Sequence, residues 1–246
     1  MPNFRETDPF LIHQYSENAL KAAASGRVED LKEAIEEGAD IEFSRLHVTP
    51  LQAALNGNDP YWDCVNVLLD AGANVNVKNK SGWSLLHQAV AGNWPEFVER
   101  LLNKSAIPFV KDMCDATPLH VASEKGFSRI AKMLIKTEII NINALDIDDE
   151  TPLMKAAKLN HLDTVKILVE SGANLYLKNR DGKNAQELAS ENPDVSDYLS
   201  EQMQAHPEIK VKDVQNISSE NGDKPEEAEV DSDRPKLSKI QKRRLS

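Results

Sequence analysis

Apolar residues in this chain gather in short trios spaced i, i+3, i+4: Leu31, Ala34 and Ile35; Val65, Leu68 and Leu69; Val98, Leu101 and Leu102; Ala131, Leu134 and Ile135; Val165, Leu168 and Val169. That spacing lines each trio along one face of a helix. The trios return every 33 or 34 residues, and a unit of that size has too little apolar surface to close a core alone. Repetition at this period predicts helical units that bury their faces against one another.

A second motif runs in step. Thr49-Pro50-Leu51-Gln52, Ser84-Leu85-Leu86-His87, Thr117-Pro118-Leu119-His120 and Thr151-Pro152-Leu153-Met154 stand 35, 33 and 34 residues apart. A hydroxyl residue followed by Pro marks a helix start: the hydroxyl accepts from an orphan amide, and Pro sits where a missing N–H costs nothing. Four residues after Ala22, Ala54, Ala89, Ala122 and Ala156 stand Gly26, Asn58, Asn93, Gly126 and Asn160. These two residue types best tolerate the left-handed backbone that stops one helix and turns the chain into the next. Each trio then meets a break at Gly38-Ala39, Gly72-Ala73, Ser105-Ala106 or Gly172-Ala173. The fourth copy, Lys136 to Asn141, lacks Gly-Ala and gains a residue, and the loop Asn58 to Asp63 is two residues longer than its counterparts.

On these residues the chain resembles the ankyrin-repeat family, most fully from Glu150-Thr151-Pro152-Leu153-Met154-Lys155-Ala156-Ala157 through Asn160-His161-Leu162-Asp163-Thr164-Val165 to Gly172-Ala173-Asn174. The resemblance implies an all-α solenoid of about six helix-turn-helix repeats with β-hairpin fingers and a concave binding face. The expected organisation is an N-terminal extension over 1–16 and a repeat domain over 17–200, with repeats at 17–43, 44–78, 79–111, 112–145, 146–178 and 179–200. The outer repeats read as caps: the first carries Glu29, Asp30, Glu33, Glu36 and Glu37, and the last keeps only Asn184 to Ala189 and a short second helix, Val195 to Leu199. Residues 201–246, with 10 acidic and 9 basic residues and no aromatic ring, read as a disordered tail, since they offer too little apolar surface to offset the entropy of ordering.

Composition narrows the function. The net charge is −11, nearly all of it from residues 1–200, a field that disfavours nucleic acid and anionic membranes and suits protein partners with basic surfaces. No run of about 18 uncharged apolar residues is present, and Arg5, Glu6 and Asp8 stand where a signal peptide would be apolar. We therefore expect a monomeric cytoplasmic protein. Cys64 and Cys114 form no CxxC pair, and the six histidines form no ligand cluster, so neither a metal nor a cofactor is expected. No phosphate loop or nucleophile elbow occurs, and His87 and His120 recur with the helix starts without a triad partner. The expected chemistry is binding, not catalysis. The resemblance implies that these histidines steady the hairpin and helix start.

If the family geometry holds, the variable positions at the finger tips meet a partner: Arg45, Leu46, Lys80, Ser81, Trp83, Met113, Cys114, Ile147, Asp148, Glu150, Arg180 and Lys183. Trp83 is the residue type that dominates interface energetics when buried by a partner. The ends of the first helices add Asn56, Ala91, Glu124, Lys125, Lys158 and Leu159. Asn76 resembles the hairpin asparagine hydroxylated in other ankyrin proteins. Arg234, Lys236, Lys239, Lys242, Arg243 and Arg244 make a basic end that suits nuclear import, and Arg243-Arg244-Leu245-Ser246 looks like a site for a basic-directed kinase at Ser246. The chain reads as a stand-alone protein-binding module, a scaffold or adaptor. The competing reading is a stoichiometric inhibitor or assembly chaperone of a multisubunit enzyme, directed at proteasome subunits or a kinase as in similar small ankyrin proteins.

Overall fold

A computed structural model describes residues 8–55 and 60–207. It is all-α, with α1 (Pro9–Ala24), α2 (Val28–Glu36), α3 (Pro50–Ala54), α4 (Trp62–Asp70), α5 (Leu85–Ala91), α6 (Pro95–Asn103), α7 (Pro118–Glu124), α8 (Ser128–Ile135), α9 (Pro152–Lys158), α10 (Leu162–Glu170), α11 (Ala185–Leu188) and α12 (Pro193–Ala205). Each odd-numbered helix packs on the even-numbered helix that follows it. Among the described residues no strand forms. Where hairpin fingers were expected there are tight loops with two isolated bridges, Arg45 to Val48 and Lys78 to Ser84, because each loop closes within a few residues, too short for a ladder.

The helix starts follow from local chemistry. Thr49 and Thr151 accept from the amides of Gln52 and Met154, three residues on, at 3.3 and 3.2 Å, and Pro50, Pro118 and Pro152 open their helices. Ser84 caps α5 in the same way although Leu85 replaces Pro. The turns take the left-handed backbone at Gly26, Asn93, Gly126 and Asn160; Asn58 lies outside the described residues. At Gly126 the requirement is double: φ is +70° and an added Cβ would lie 2.5 Å from His161 Nδ1, the ring of the following pair. After the second helices Gly38, Gly72, Ser105 and Gly172 are also left-handed, and in the irregular fourth copy Glu138 takes that role at φ 59°.

The trios face the interior, with Ile35, Leu102, Ile135 and Val169 partly buried at its edge. Leu31, Val65, Leu68, Leu69, Val98, Leu101, Leu134, Val165 and Leu168 are fully buried, and one continuous core runs from Ala19 to Leu199. Consecutive pairs stack first helix on first helix at α1/α3, α5/α7, α7/α9 and α9/α11, and second on second at α2/α4, α6/α8, α8/α10 and α10/α12. At the junction between α3/α4 and α5/α6 the second helices meet through long side chains: Trp62 lies edge-on to Trp94 and Phe97, Arg100 reaches Asp70 at 3.0 Å and Lys104 Nζ donates to the Leu69 carbonyl at 2.8 Å.

The ends differ from the sequence expectation. In place of an extension over 1–16, a helix begins at Pro9; Asp8 caps it by accepting from the Phe10 amide at 3.0 Å, and Ser16 is buried. The last helix runs from Pro193 to Ala205, longer than Val195 to Leu199 and past residue 200. Its end is held by Tyr176, whose hydroxyl lies 3.0 Å from the Met203 carbonyl and 2.7 Å from that of His206. Residues 208–246, with Ser246, lie outside the described residues.

Gly126→Ala should lower stability by roughly 1–3 kcal/mol through left-handed strain and the collision with His161, whereas Asn160→Gly should change it by no more than about 0.5 kcal/mol. Urea unfolding of the two variants beside wild type checks both.

Candidate protein-docking surface

The loop tips are built on one repeated device. Asn79, Asp112, Asp146 and Asn179 each accept, through one side-chain oxygen, from the amides two and four residues on, at 2.8–3.1 Å. In the same four loops the backbone amide of the Asx residue donates to the carbonyl four residues on, namely Trp83, Ala116, Glu150 and Lys183. The Asx side chain thus substitutes for the missing strand partner and fixes the tip. The first loop has Arg45 at this position and closes as a two-residue turn, with Leu46 and His47 both at positive φ.

The fixed tips are joined to one another. Met113 N–H donates to the Ser81 carbonyl at 3.1 Å, Ile147 N–H to Cys114 at 2.8 Å and Arg180 N–H to Asp148 at 3.3 Å. Six of the expected partner-facing residues therefore lie in one backbone seam. With their amides and carbonyls spent inward, the side chains stay exposed: Met113 is 72% and Ile147 46% exposed. Lys80 and Lys183 are exposed on the same tips, and Arg45 and Leu46 stand on the first tip, which makes no such seam bond to its neighbour among the described residues. Arg180 pairs with Asp149 at 3.4 Å and Arg45 with Glu17 at 3.3 Å.

Two expectations change. Glu150 is buried, 4% exposed, and ion-paired with Lys155 at 2.9 Å and Lys158 at 3.2 Å, while Asp146 pairs with Lys155 at 2.7 Å. A carboxylate so engaged is internal to the loop and not a partner contact. Burial opposes the charge of Lys155, yet the two carboxylates outweigh it and hold its pKa above the ordinary value. Burial likewise opposes ionisation of Asp146 and Glu150, and Lys155 overrides it, lowering both. Trp83 is half-buried: its indole N–H donates to Asp112 on the next loop at 2.9 Å, and its ring stacks on His87. Only part of that ring is free.

His87 and His120 do more than steady their own helix starts. Nδ1 of each faces the amide of Ser84 or Thr117, at 3.2 and 3.1 Å, and Nε2 reaches the next loop at the carbonyl of Ala116 or Glu150, 3.1 Å in both cases. Nδ1 accepting and Nε2–H donating is the neutral imidazole. Burial is the largest cause that pushes both pKa values down.

Below the tips a side-chain ladder links the loops. Glu42 accepts from Asn74 N–H at 2.6 Å, Asn76 from Ile107 N–H at 2.9 Å and Asn143 from Asn174 N–H at 2.8 Å. Asn76 also donates to the Ser105 carbonyl at 3.3 Å, so its exposed amide already ties two loops. Phe109 occupies the corresponding position between the last two rungs. Of the helix-end positions, Glu124, Lys125, Lys158 and Leu159 are exposed, Ala91 is half-buried and Asn56 lies outside the described residues. Among the described residues no cluster of three or more His, Cys, Asp or Glu is placed to hold a metal, and no helix is long and apolar enough to cross a membrane.

Comparison with known proteins agrees with this geometry. A family model described as ankyrin repeats (3 copies) matches residues 51–146 and 137–213, more than half of the chain. The chain belongs to the ankyrin-repeat family. It is similar to inversin from Canis lupus familiaris and from Homo sapiens, each 30% identical over 122 residues, 49% of this chain and 11% and 12% of those proteins. It is also similar to neurogenic locus notch homolog protein 1 from Xenopus tropicalis, 27% identical over 177 residues, 70% of this chain and 7% of that protein. The chain thus spans about a tenth of the length of these relatives. Ankyrin repeats generally mediate protein–protein interaction.

The neutral histidines set a pH dependence. Their folded-state pKa lies below the ordinary value of about 6.5, so the unfolded chain binds more protons and stability falls as pH drops through that value. His120→Gln, the residue type found at Gln52, should reduce the loss between about pH 7 and 5, measured by denaturant midpoints across that range; an unchanged slope would place the titration elsewhere.

Proposed function

We propose that this chain is a non-enzymatic protein-binding module of six repeats, each helix pair being one unit, that holds its partner along the row of loop tips on a concave face. The supporting observation is the seam through Ser81, Met113, Cys114, Ile147, Asp148 and Arg180, whose bonded backbone presents exposed side chains from successive loops on a fixed base. Such a base loses little conformational freedom on binding, which favours affinity. Met113 and Ile147 are the apolar centre, flanked by Leu46, Lys80 and the exposed part of Trp83 on one side and by Arg180 and Lys183 on the other. The mixed charge suits an extended partner segment with basic stretches facing Asp148. The module acts as a monomer in the cytoplasm, with nuclear entry through the basic C-terminal residues, Asn76 open to hydroxylation and Ser246 to phosphorylation.

The alternative role, inhibitor or assembly chaperone, uses the same surface and differs in outcome: stoichiometric addition of the chain changes the partner's activity or subunit joining. A Met113→Glu/Ile147→Glu double variant should keep the wild-type urea midpoint, since both side chains are exposed, and lose partner capture by at least about tenfold. Affinity capture from cell extract with the two proteins side by side measures this. Undiminished capture by a folded double variant would contradict the tip-row reading.

A further inference from the structure

One side chain gives up a bond that its counterparts make. At the loop bases Glu42, Asn76 and Asn143 each accept from an amide of the next loop, that of Asn74, Ile107 or Asn174. Phe109 holds the equivalent position between α6 and α7 and offers no acceptor. The Asn141 amide, at the matching place in the next loop, accordingly has no protein acceptor among the described residues. The ring gains no interior in exchange, for it is 50% exposed. An asparagine at this position would add the missing rung and expose less apolar surface, so stability gives no reason for Phe109.

Phe109 has apolar company on the same surface. Burial alternates along its loop and along the one between α8 and α9, leaving Ile107, Phe109 and Met113 exposed on the former and Leu145 and Ile147 on the latter. The two loops are bonded side by side: Ile147 N–H donates to the Cys114 carbonyl, and Lys111 Nζ reaches the Leu145 carbonyl at 2.9 Å. That reach carries the Lys111 methylenes from one loop to the other, and such stems extend apolar surface. On the flanking loops the matching places hold Lys78, Lys80, Lys178 and Arg180.

The flanks are therefore cationic. Lys80 and Lys178 form no ion pair among the described residues, and Lys78 Nζ donates to the Lys111 carbonyl at 3.0 Å, a bond that leaves its charge unmatched. Lys111 and Arg180 are faced by Asp115 and Asp149. Asp148 and Asp181 stand at the turns of the tips, beyond these positions. An apolar centre between unmatched lysines complements a segment that carries both apolar side chains and carboxylates. We propose that the third and fourth loops, from Phe109 and Leu145 out to Met113 and Ile147, form one docking surface for an acidic partner segment, whose apolar side chains cover Phe109 and whose carboxylates meet Lys78, Lys80 and Lys178. The proposal rests on the tip-row reading at Met113 and Ile147 and extends that surface down to the loop bases.

The test follows the methionine and isoleucine methyl signals of the full chain by NMR, assigned with single substitutions, while an end-capped ten-residue peptide of alternating leucine and aspartate is added. Ile107, Met113 and Ile147 should shift together and saturate, with Met133 and Ile167 on the second helices unmoved. Lysine in place of aspartate, or serine in place of leucine, should weaken binding at least about tenfold. Phe109→Asn, the residue found at 76 and 143, should keep or raise the urea midpoint and weaken peptide binding at least about fivefold. Lys80→Gln/Lys178→Gln, at exposed positions, should weaken it severalfold with the fold unchanged. No saturable shift at millimolar peptide, equal binding of the lysine peptide, or an unaffected Lys80→Gln/Lys178→Gln variant would each overturn the proposal. Concentration-dependent shifts of the same methyls without peptide would assign the surface to a second copy and also overturn it. Loss of binding in Met113→Glu/Ile147→Glu with none in Phe109→Asn would remove the extension and leave the tip row standing.

Discussion

No helix pair in this chain can hide its apolar stripe except beneath the next pair. Ala34, Leu68, Leu101, Leu134 and Leu168 occupy equivalent positions and are all buried, yet a nine-residue helix such as α6 offers them no interior of its own. Stability therefore resides at the junctions, where apolar area leaves water. The period of the sequence is the consequence: every unit must present a matching face above and below, so the turn, the cap and the trio have to recur in register.

Burial alone would allow the pairs to slide, and the polar bonds between loops remove that freedom. The histidine Nε2 bonds, the Asn76 and Asn143 rungs and the tip seam each tie a side chain or amide to a carbonyl or amide of the neighbour, in directional geometry that burial lacks. Between α3/α4 and α5/α6 the aromatic cluster of Trp62, Trp94 and Phe97, with Arg100, adds to the Asn76 rung. Regular stacking supplies the scaffold; irregular residues supply what can discriminate one ligand from another.

Helix existence, the caps at Thr49, Thr117 and Thr151, and the left-handed turns at Gly26, Asn93, Gly126 and Asn160 were legible because local sterics and single hydrogen bonds dictate them. Both ends were harder. Asp8-Pro9 is a helix start of the same kind as Thr151-Pro152, but it falls outside the spacing of the Thr-Pro-Leu motif, and α12 continues through Gln202 to Ala205 on packing and the Tyr176 contact. The candidate site was legible as positions and not as environments. Exposure at Met113 and Ile147 follows from loop register, whereas the burial of Glu150 depends on Lys155 and Lys158, five and eight residues on, folding back over it. The Asx residues at 79, 112, 146 and 179 carry a readable signal, a spacing of 33, 34 and 33 residues with a left-handed residue three further on.

The central claim, that stability is passed between neighbouring pairs, is tested most directly by hydrogen exchange resolved to peptides in Leu101→Ala against wild type. The cavity at α6 should cost roughly 2–5 kcal/mol locally, with protection lost most in α5/α6, less in the flanking α3/α4 and α7/α8, and least in α11/α12. Equal loss of protection along the whole array would contradict it, and would mean that the chain unfolds as one indivisible core.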